Sequence, residues 1–384
     1  MQRREFVLGA ALAGTASGVA APLLAQETGR RSAPQAASPV SAGDRSTTRD
    51  PLALQRSTLV VDGLDVSNLN ERYVQLLQQG GVNCWHKSMG DLDSFSDLYR
   101  FVDDHPELAV ARTVREIRDA HARGKVALIF GWQDADLLAG RVTNPMLGAP
   151  RTSLRGYYEL GLRIVGFAYN LTNVFGAGNM EGHVPLSRAG RVLVEEAHKL
   201  NVLLDVGGHT GERTSLDVIA MSAGRPVICS HTNVGSIADN PRNVSDRLID
   251  AIAGTGGVIG LTAVNDFHVR RAADKNVAHS PRVGVSAFVD QMEYLKKRVG
   301  VDHIGLGPDF VEGRTLDYDT INQSLAINRE IISDGQWLYI QSFENISQLP
   351  NVTREMIARG WSTGEIHKLL GENWLRVYRA AWGA

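Results

Sequence analysis

Beyond residue 57 the chain alternates between two patterns of apolar and polar positions. Short, unbroken apolar runs recur along it: "TLVVDG", "GVNCWHKSM", "KVALIFGWQ", "IVGFAYN", "NVLLDVGGH", "PVICSH", "GGVIGLTAV" and "HIGLGPDF". Continuous runs of this kind are what strands of a parallel sheet present when both faces are covered. Between them lie stretches with apolar residues at helical spacing, such as "NERYVQLLQQG", "GRVLVEEAHKL", "SDRLIDAIAGTG" and "SAFVDQMEYLKKRVG", several ending in the glycine that closes a helix. Eight such strands alternating with helices predict an α/β fold built as a (β/α)8 barrel. A doubly wound open sheet is the alternative that the same pattern allows.

The first 57 residues do not share this rhythm. "MQRREFVLGAALAGTASGVAAPLLAQETG" places adjacent Arg3 and Arg4 and then Phe6 ahead of a weakly apolar Ala/Gly stretch. That arrangement is the mark of a twin-arginine signal, and it predicts residues 1–25 as an export segment cleaved near Ala25, with a periplasmic destination. The apolar stretch is short and broken by glycine, and no cysteine follows it for lipid attachment, so no stable membrane anchor is expected. Residues 26–57, rich in Ser, Ala, Pro and charge, read as a flexible tether. Residues 58–384 remain as the barrel domain.

Composition narrows the function classes. Lys plus Arg number 40 and Asp plus Glu 42, a formal charge of −2 without a long basic stripe, which argues against nucleic-acid binding. Cys84 and Cys229 are too few for a disulfide framework, although one bridge stays open in an oxidising compartment. In a barrel the chemistry gathers at the C-terminal ends of the strands. Reading the predicted ends in order gives Leu64 to Val66, Trp85 and His86, Gln133, Tyr169, His209, His231, Asn265 and Asp309. Such polar groups are costly to bury without partners, so a shared site is expected there.

"PVICSHTNVGSIADNPRNVSDRLIDAI", "HIGLGPDFVEG" and "LLGENWLRVYRA" resemble, in this order, segments of the membrane (renal) dipeptidase family of zinc peptidases. "YYELGLRIVGFAYNLTNVFGAGN" and "LLDVGGHTGERTSLDVI" add weaker matches, and together the five span most of residues 58–383. The resemblance implies a (β/α)8 barrel carrying two zinc ions bridged by a carboxylate and a hydroxide. It implies His209 and His231 as ligands of one ion, with "DVGGH" one residue longer before His209 than the family pattern. Zinc held by imidazoles lowers the pKa of bound water toward neutrality. The resemblance further implies Arg242 as the group that grips a substrate's terminal carboxylate in a two-pronged pair. Asp309 matches the carboxylate that moves the proton between water and leaving amine. Tyr169 stands where the family has a histidine that helps hold the tetrahedral intermediate, and a phenol can donate the same hydrogen bond.

Three expected ligands are missing. The family's first strand ends in Asp-Gly-His-x-Asp, and the ligand positions of that motif are Leu64 and Val66 here. Gln133 stands at the position of the bridging glutamate, and a neutral amide is a poor bridge between two cations. All three losses fall on one ion or on the bridge. The expectation is therefore a dipeptidase-type hydrolase with a reduced site of one zinc ion, or none, built from His209, His231 and Asp309. Asp62, Asp65 and His86 lie near the same rim as candidate replacements. The substrate class is a dipeptide or small amide with a free carboxylate, or, with Tyr169 and Trp132 reshaping the pocket, another amide or lactam. The alternative is a catalytically degenerate barrel that binds a small carboxylated ligand. The family is often dimeric, which makes a homodimer the expected assembly.

Overall fold

The computed structural model describes residues 50–139, 149–269, 281–313, 331–332 and 337–383. Residues 1–25, expected as an export segment, and the expected tether up to residue 49 lie outside the described residues. No described helix is long and apolar enough to cross a membrane.

Nine strands form one parallel sheet: β1 (Val61–Asp65), β2 (Cys84–Ser88), β3 (Leu108–Val110), β4 (Val126–Trp132), β5 (Leu162–Val165), β6 (Leu203–Asp205), β7 (Val227–Thr232), β8 (Ile259–Leu261) and β9 (Ile304–Leu306). Their order is β1-β2-β4-β5-β6-β7-β8-β9, so neighbours in sequence are neighbours in space. The short β3, which the apolar pattern did not reveal, pairs with the first half of β4 through Leu108 opposite Val126, while the second half of β4 pairs with β5. The ring closes where Asp309 donates its backbone N–H to Leu64 and Val66 donates to Phe310, at 3.1 and 3.0 Å. The result is the expected eight-stranded barrel, with β3 as an added edge.

Inside it, Val61, Cys84, Ala127, Ile129, Ile164, Leu203 and Ile228, one or two from each of six strands, and Val258 just before β8 form a cluster with Trp374 and Tyr378. The segment "LLGENWLRVYRA" supplies these aromatics on a helix, Asn373–Trp382, so this motif packs the barrel and stands apart from the chemistry. The Trp374 indole fits because three glycines leave it room. A Cβ on Gly63, Gly260 or Gly305 would come within 2.3, 3.1 or 2.4 Å of its ring. Its N–H donates to the Leu306 carbonyl at 3.0 Å. A second apolar layer, including Leu128, Phe130, Val165, Leu204 and Leu261, joins the barrel's outer face to the surrounding helices.

Two expectations change at this level. Pro51–Arg56, placed in the tether by composition, is a helix capped by Asp50. It packs onto the body through buried Leu54 and through Gln55, whose amide donates to Thr353 at 3.0 Å. The buried Leu54 and this long-range hydrogen bond tie to the body a segment whose composition is otherwise that of a linker. Cys84 and Cys229 are both buried and free, which removes the single-bridge option.

Candidate active site

The candidate side chains gather at the C-terminal mouth of the barrel, yet most sit beyond the strands. β5 ends at Val165, four residues before Tyr169, and β6 ends at Asp205, four before His209. β9 ends at Leu306, three before Asp309. Glycine sets each exit. A Cβ on Gly166 would strike the Gln133 carbonyl at 1.9 Å. Gly207 and Gly208 both hold positive φ, at 75° and 58°. Left-handed backbone of this kind is open to glycine without strain, so the extra residue before His209 is absorbed as a two-glycine turn. His86 and His231 lie within β2 and β7, and Gln133 directly follows β4.

His209 is held on both sides. Its Nδ1 donates to Asn170 Oδ1 at 2.7 Å, and its ring stacks on Tyr169 with centroids 3.8 Å apart. With the proton on Nδ1, Nε2 carries the lone pair, and Arg242 Nη2 lies 3.0 Å from it. Gln133 Oε1 is also 3.0 Å from this nitrogen, while its amide nitrogen donates to Ser88 at 3.1 Å. His231 lies beside His209, with ring centroids 4.9 Å apart. Its Nδ1 pairs with Ser230 Oγ at 2.7 Å, and its buried Nε2 has no partner among the described residues. Burial first, and then the Arg242 charge, press both imidazoles well below the usual histidine range, so they are neutral near pH 7. Asn170 and Ser230 were not singled out as functional residues. Their signal was adjacency alone, since each sits next to a candidate in "FAYN" and "CSH".

Arg242 is 1% exposed. Its Nη2 is 3.9 Å from Asp309 Oδ2, and its guanidinium lies over the Phe267 ring at 5.4 Å. Nη1 has no partner among the described residues. The backbone that carries it is pinned, since Arg242 N–H donates to Asn240 Oδ1 at 2.9 Å and its carbonyl accepts from Thr232 Oγ1 at 2.8 Å. Burial lowers the pKa of the guanidinium, and Asp309 is the strongest influence opposing that. Asp309 itself is pushed up to about 7, because desolvation outweighs the attraction of Arg242. It also holds a positive φ of 62°, a conformation that Asp tolerates better than most residues.

The rim residues considered as replacement ligands are engaged otherwise. Asp65 accepts the Ser67 N–H at 2.6 Å and a short hydrogen bond from the Tyr73 phenol, and burial lifts it to about 6. Asp62 accepts the Leu64 N–H at 3.1 Å, its second oxygen is buried without a partner among the described residues, and burial raises its pKa well above the usual range. His86 Nδ1 donates to the Gly63 carbonyl at 2.5 Å, its Nε2 has no partner among the described residues, and burial lowers it to about 4. Asn265, expected to join the site, spends its amide on the backbone of Pro281 and Val283. Leu64 is fully buried and apolar, and Val66 is half-buried.

These donors can be tested against zinc. A catalytic zinc takes three protein ligands and keeps one open position. Among the described residues no three His, Cys, Asp or Glu side chains converge as a metal site would require. The lone pair that His209 would offer faces the Arg242 guanidinium. Two unit charges about 4 Å apart interact by about 4 kcal/mol at the effective dielectric of a protein site, and a divalent ion doubles that repulsion. His231 Nε2 is open, but one imidazole is not a ligand set. The expected grouping of His209, His231 and Asp309 around one zinc ion therefore lacks the geometry of a resident metal site.

Comparison with known proteins joins fold and site to one family. The family described as membrane dipeptidase (peptidase family M19) matches residues 82–335 and 331–382. Dipeptidase verJ of Clonostachys rogersoniana is 28% identical over 293 residues, covering 76% of this chain and 64% of that protein. Dipeptidase tcpJ of Claviceps purpurea is 28% identical over 266 residues, covering 68% and 54%. The chain thus spans less than two thirds of the length of these two relatives. An amidohydrolase structure from Pseudomonas aeruginosa superposes with a TM-score of 0.76 at 26% identity, over 88% of this chain and all of that one. A Rhodobacter sphaeroides metallo peptidase, solved with a phosphinate mimic of the dipeptide L-Ala-D-Ala, has the same fold at a TM-score of 0.66 and 21% identity, over 85% of this chain and all of that one. With a barrel of this order and a family match that runs from β2 to the C-terminal helix, the chain belongs to the membrane dipeptidase family, peptidase family M19.

Proposed function

We propose that this protein takes a dipeptide or similar small amide by its free carboxylate and hydrolyses the amide bond. The observation that carries this reading is Arg242, a fully buried guanidinium standing between His209 and Asp309 with Nη1 unpartnered. A buried cation with one N–H group open at Nη1 is a receptor for a carboxylate oxygen, which it holds by charge-assisted hydrogen bonding. A cavity of about 410 Å³, lined by His183, Gly208, Thr210, Glu212, Pro241 and Asn243 among others, lies next to the Arg242 segment, but the side chains of Tyr169, His209, His231, Arg242 and Asp309 are not in its lining. Gly208 presents only a hydrogen toward Arg242, since a Cβ there would come within 2.7 Å of Nη1.

In this reading Asp309 takes a proton from water as the water oxygen attacks the amide carbon, and returns it to the leaving nitrogen. With its carboxyl at about 7, it has comparable fractions of base and acid at neutral pH, which suits both half-steps. Tyr169, stacked on His209, supplies a phenol for the developing oxyanion. The test is a dipeptide panel headed by L-Ala-D-Ala, the compound mimicked in the Rhodobacter sphaeroides structure, assayed with chelator and with added zinc. Release of amino acids that disappears in Asp309→Asn supports the reading. Absence of turnover in every condition refutes it. The absence of a three-ligand set favours a second reading, a barrel that binds the carboxylated molecule and releases it unchanged. Binding of the panel without turnover identifies that case. We further propose, from Arg3, Arg4 and Phe6, that the protein works in the periplasm after twin-arginine export. Replacing both arginines by lysine should leave it in the cytoplasm.

A further inference from the structure

We infer that this site works without a metal ion, the buried guanidinium of Arg242 standing as the fixed positive charge that zinc supplies elsewhere in the family. The inference builds on the reading of Arg242 as a carboxylate anchor and adds what takes the place of the metal. Three independent features point to it. The positions that the family resemblance implies as one ion's ligands hold Leu64, fully buried and apolar, and Val66, and neither side chain can bind a metal. The position that the resemblance implies for a bridging carboxylate holds Gln133, whose amide is committed to Ser88 on one side and faces His209 on the other. The remaining ligand pair is spoken for on the His209 side by a guanidinium 3.0 Å from Nε2.

Arg242 is not a side chain that has merely drifted into an empty hole. Its guanidinium lies over Phe267, its backbone is held by Asn240 and Thr232, and Asp309 Oδ2 stands 3.9 Å away as counter-charge. Gly207 and Gly208, both left-handed, shape the turn beside it, and a side chain at residue 208 would push on Nη1. A cation built in this way orients an anion by fixed hydrogen bonds and cannot be removed by a chelator. The ligand class is a small molecule with one carboxylate, received on Nη1 and on the edge shared with His209.

The experiment uses the full chain with its export segment removed. Zinc content is measured by mass spectrometry after equilibration with excess zinc chloride and desalting, and melting is followed with EDTA, with zinc and with neither. L-Ala-D-Ala and its C-terminal amide are titrated calorimetrically in EDTA. The expected result is zinc far below one ion per chain, melting temperatures that agree across the three conditions, and binding of the free dipeptide in EDTA. Amidation should weaken that binding by about tenfold or more, the loss of a charge-assisted pair. Arg242→Met should abolish binding, and Arg242→Lys should restore part of it. If Arg242→Met does not fold, as judged by circular dichroism, the comparison of free and amidated dipeptide and the lysine variant carry the test. Stoichiometric zinc that is lost in His231→Ala overturns the inference, and so does dipeptide binding that requires zinc. Turnover that requires zinc would overturn the inference while leaving the hydrolase reading intact. Absence of zinc together with absence of dipeptide binding would overturn the carboxylate-anchor reading and, with it, the inference.

Discussion

Asp309→Asn separates the carboxylate's chemical role from its structural cost. The carboxyl is displaced from 3.8 to about 7 by burial, against the attraction of Arg242, which that value already contains. Below pH 3.8 the group is neutral folded and unfolded, and it contributes nothing to the pH dependence. Between 3.8 and about 7 the folded chain keeps the proton and the unfolded chain loses it, so stability falls as pH rises through this window. Above about 7 both states are ionised and the full cost remains. Roughly three pH units at 1.36 kcal/mol each set a ceiling of about 4 kcal/mol. Asp65, which titrates at about 6 and raises Asp309, shares part of that sum, so about 2 kcal/mol or more is the working expectation. Asn keeps the shape and suits the positive φ of 62°. Urea unfolding at pH 5 and pH 8 should therefore show the variant gaining on the parent by about 2 kcal/mol or more as pH rises, while turnover is lost. The parent's turnover should increase with pH through about 7 as the base is freed. If the variant instead loses stability relative to the parent at pH 8, the carboxylate is ionised and stabilised by Arg242, and the reasoning fails.

Gly131→Ala should destabilise the fold by about 1–3 kcal/mol in urea unfolding, because the added Cβ would stand 2.1 Å from His86 Nε2 and the ring is tied to Gly63. An unchanged midpoint would show that the imidazole can move. Trp374→Ala should cost about 3–5 kcal/mol by leaving a cavity in the barrel interior, lost together with the hydrogen bond to Leu306. A cost below about 1 kcal/mol would mean that the barrel collapses around the space. Tyr73→Phe removes a donor to the Asp65 carboxylate, so Asp65 should titrate above about 6. The lost stability, about 1–3 kcal/mol for a hydrogen bond to a charged group, should be larger at pH 8 than at pH 5. Equal losses at both values would show that Asp65 stays neutral.

The apolar runs were enough to read the barrel, because a buried parallel strand needs little more than a continuous β-type stretch between helical ones. Even so, the three residues of β3 carry too little pattern to be distinguished from a loop. The family and the positions of His209, His231, Arg242 and Asp309 were legible as well, since each lies in a run of residues whose order is specific. So were the vacancies at Leu64, Val66 and Gln133. The sequence alone did not show that Pro51–Arg56 folds back, which depends on what Leu54 and Gln55 meet nearly three hundred residues further on. Nor could it show where Arg242 points. The same arginine at the same spacing fits a two-metal site or a site with none. Only the three-dimensional packing brings its guanidinium against His209 Nε2, where a charged N–H meets the imidazole lone pair that a metal would need. Linear order determined which groups are present at the mouth of the barrel, and the tertiary structure decided which of them are free to act.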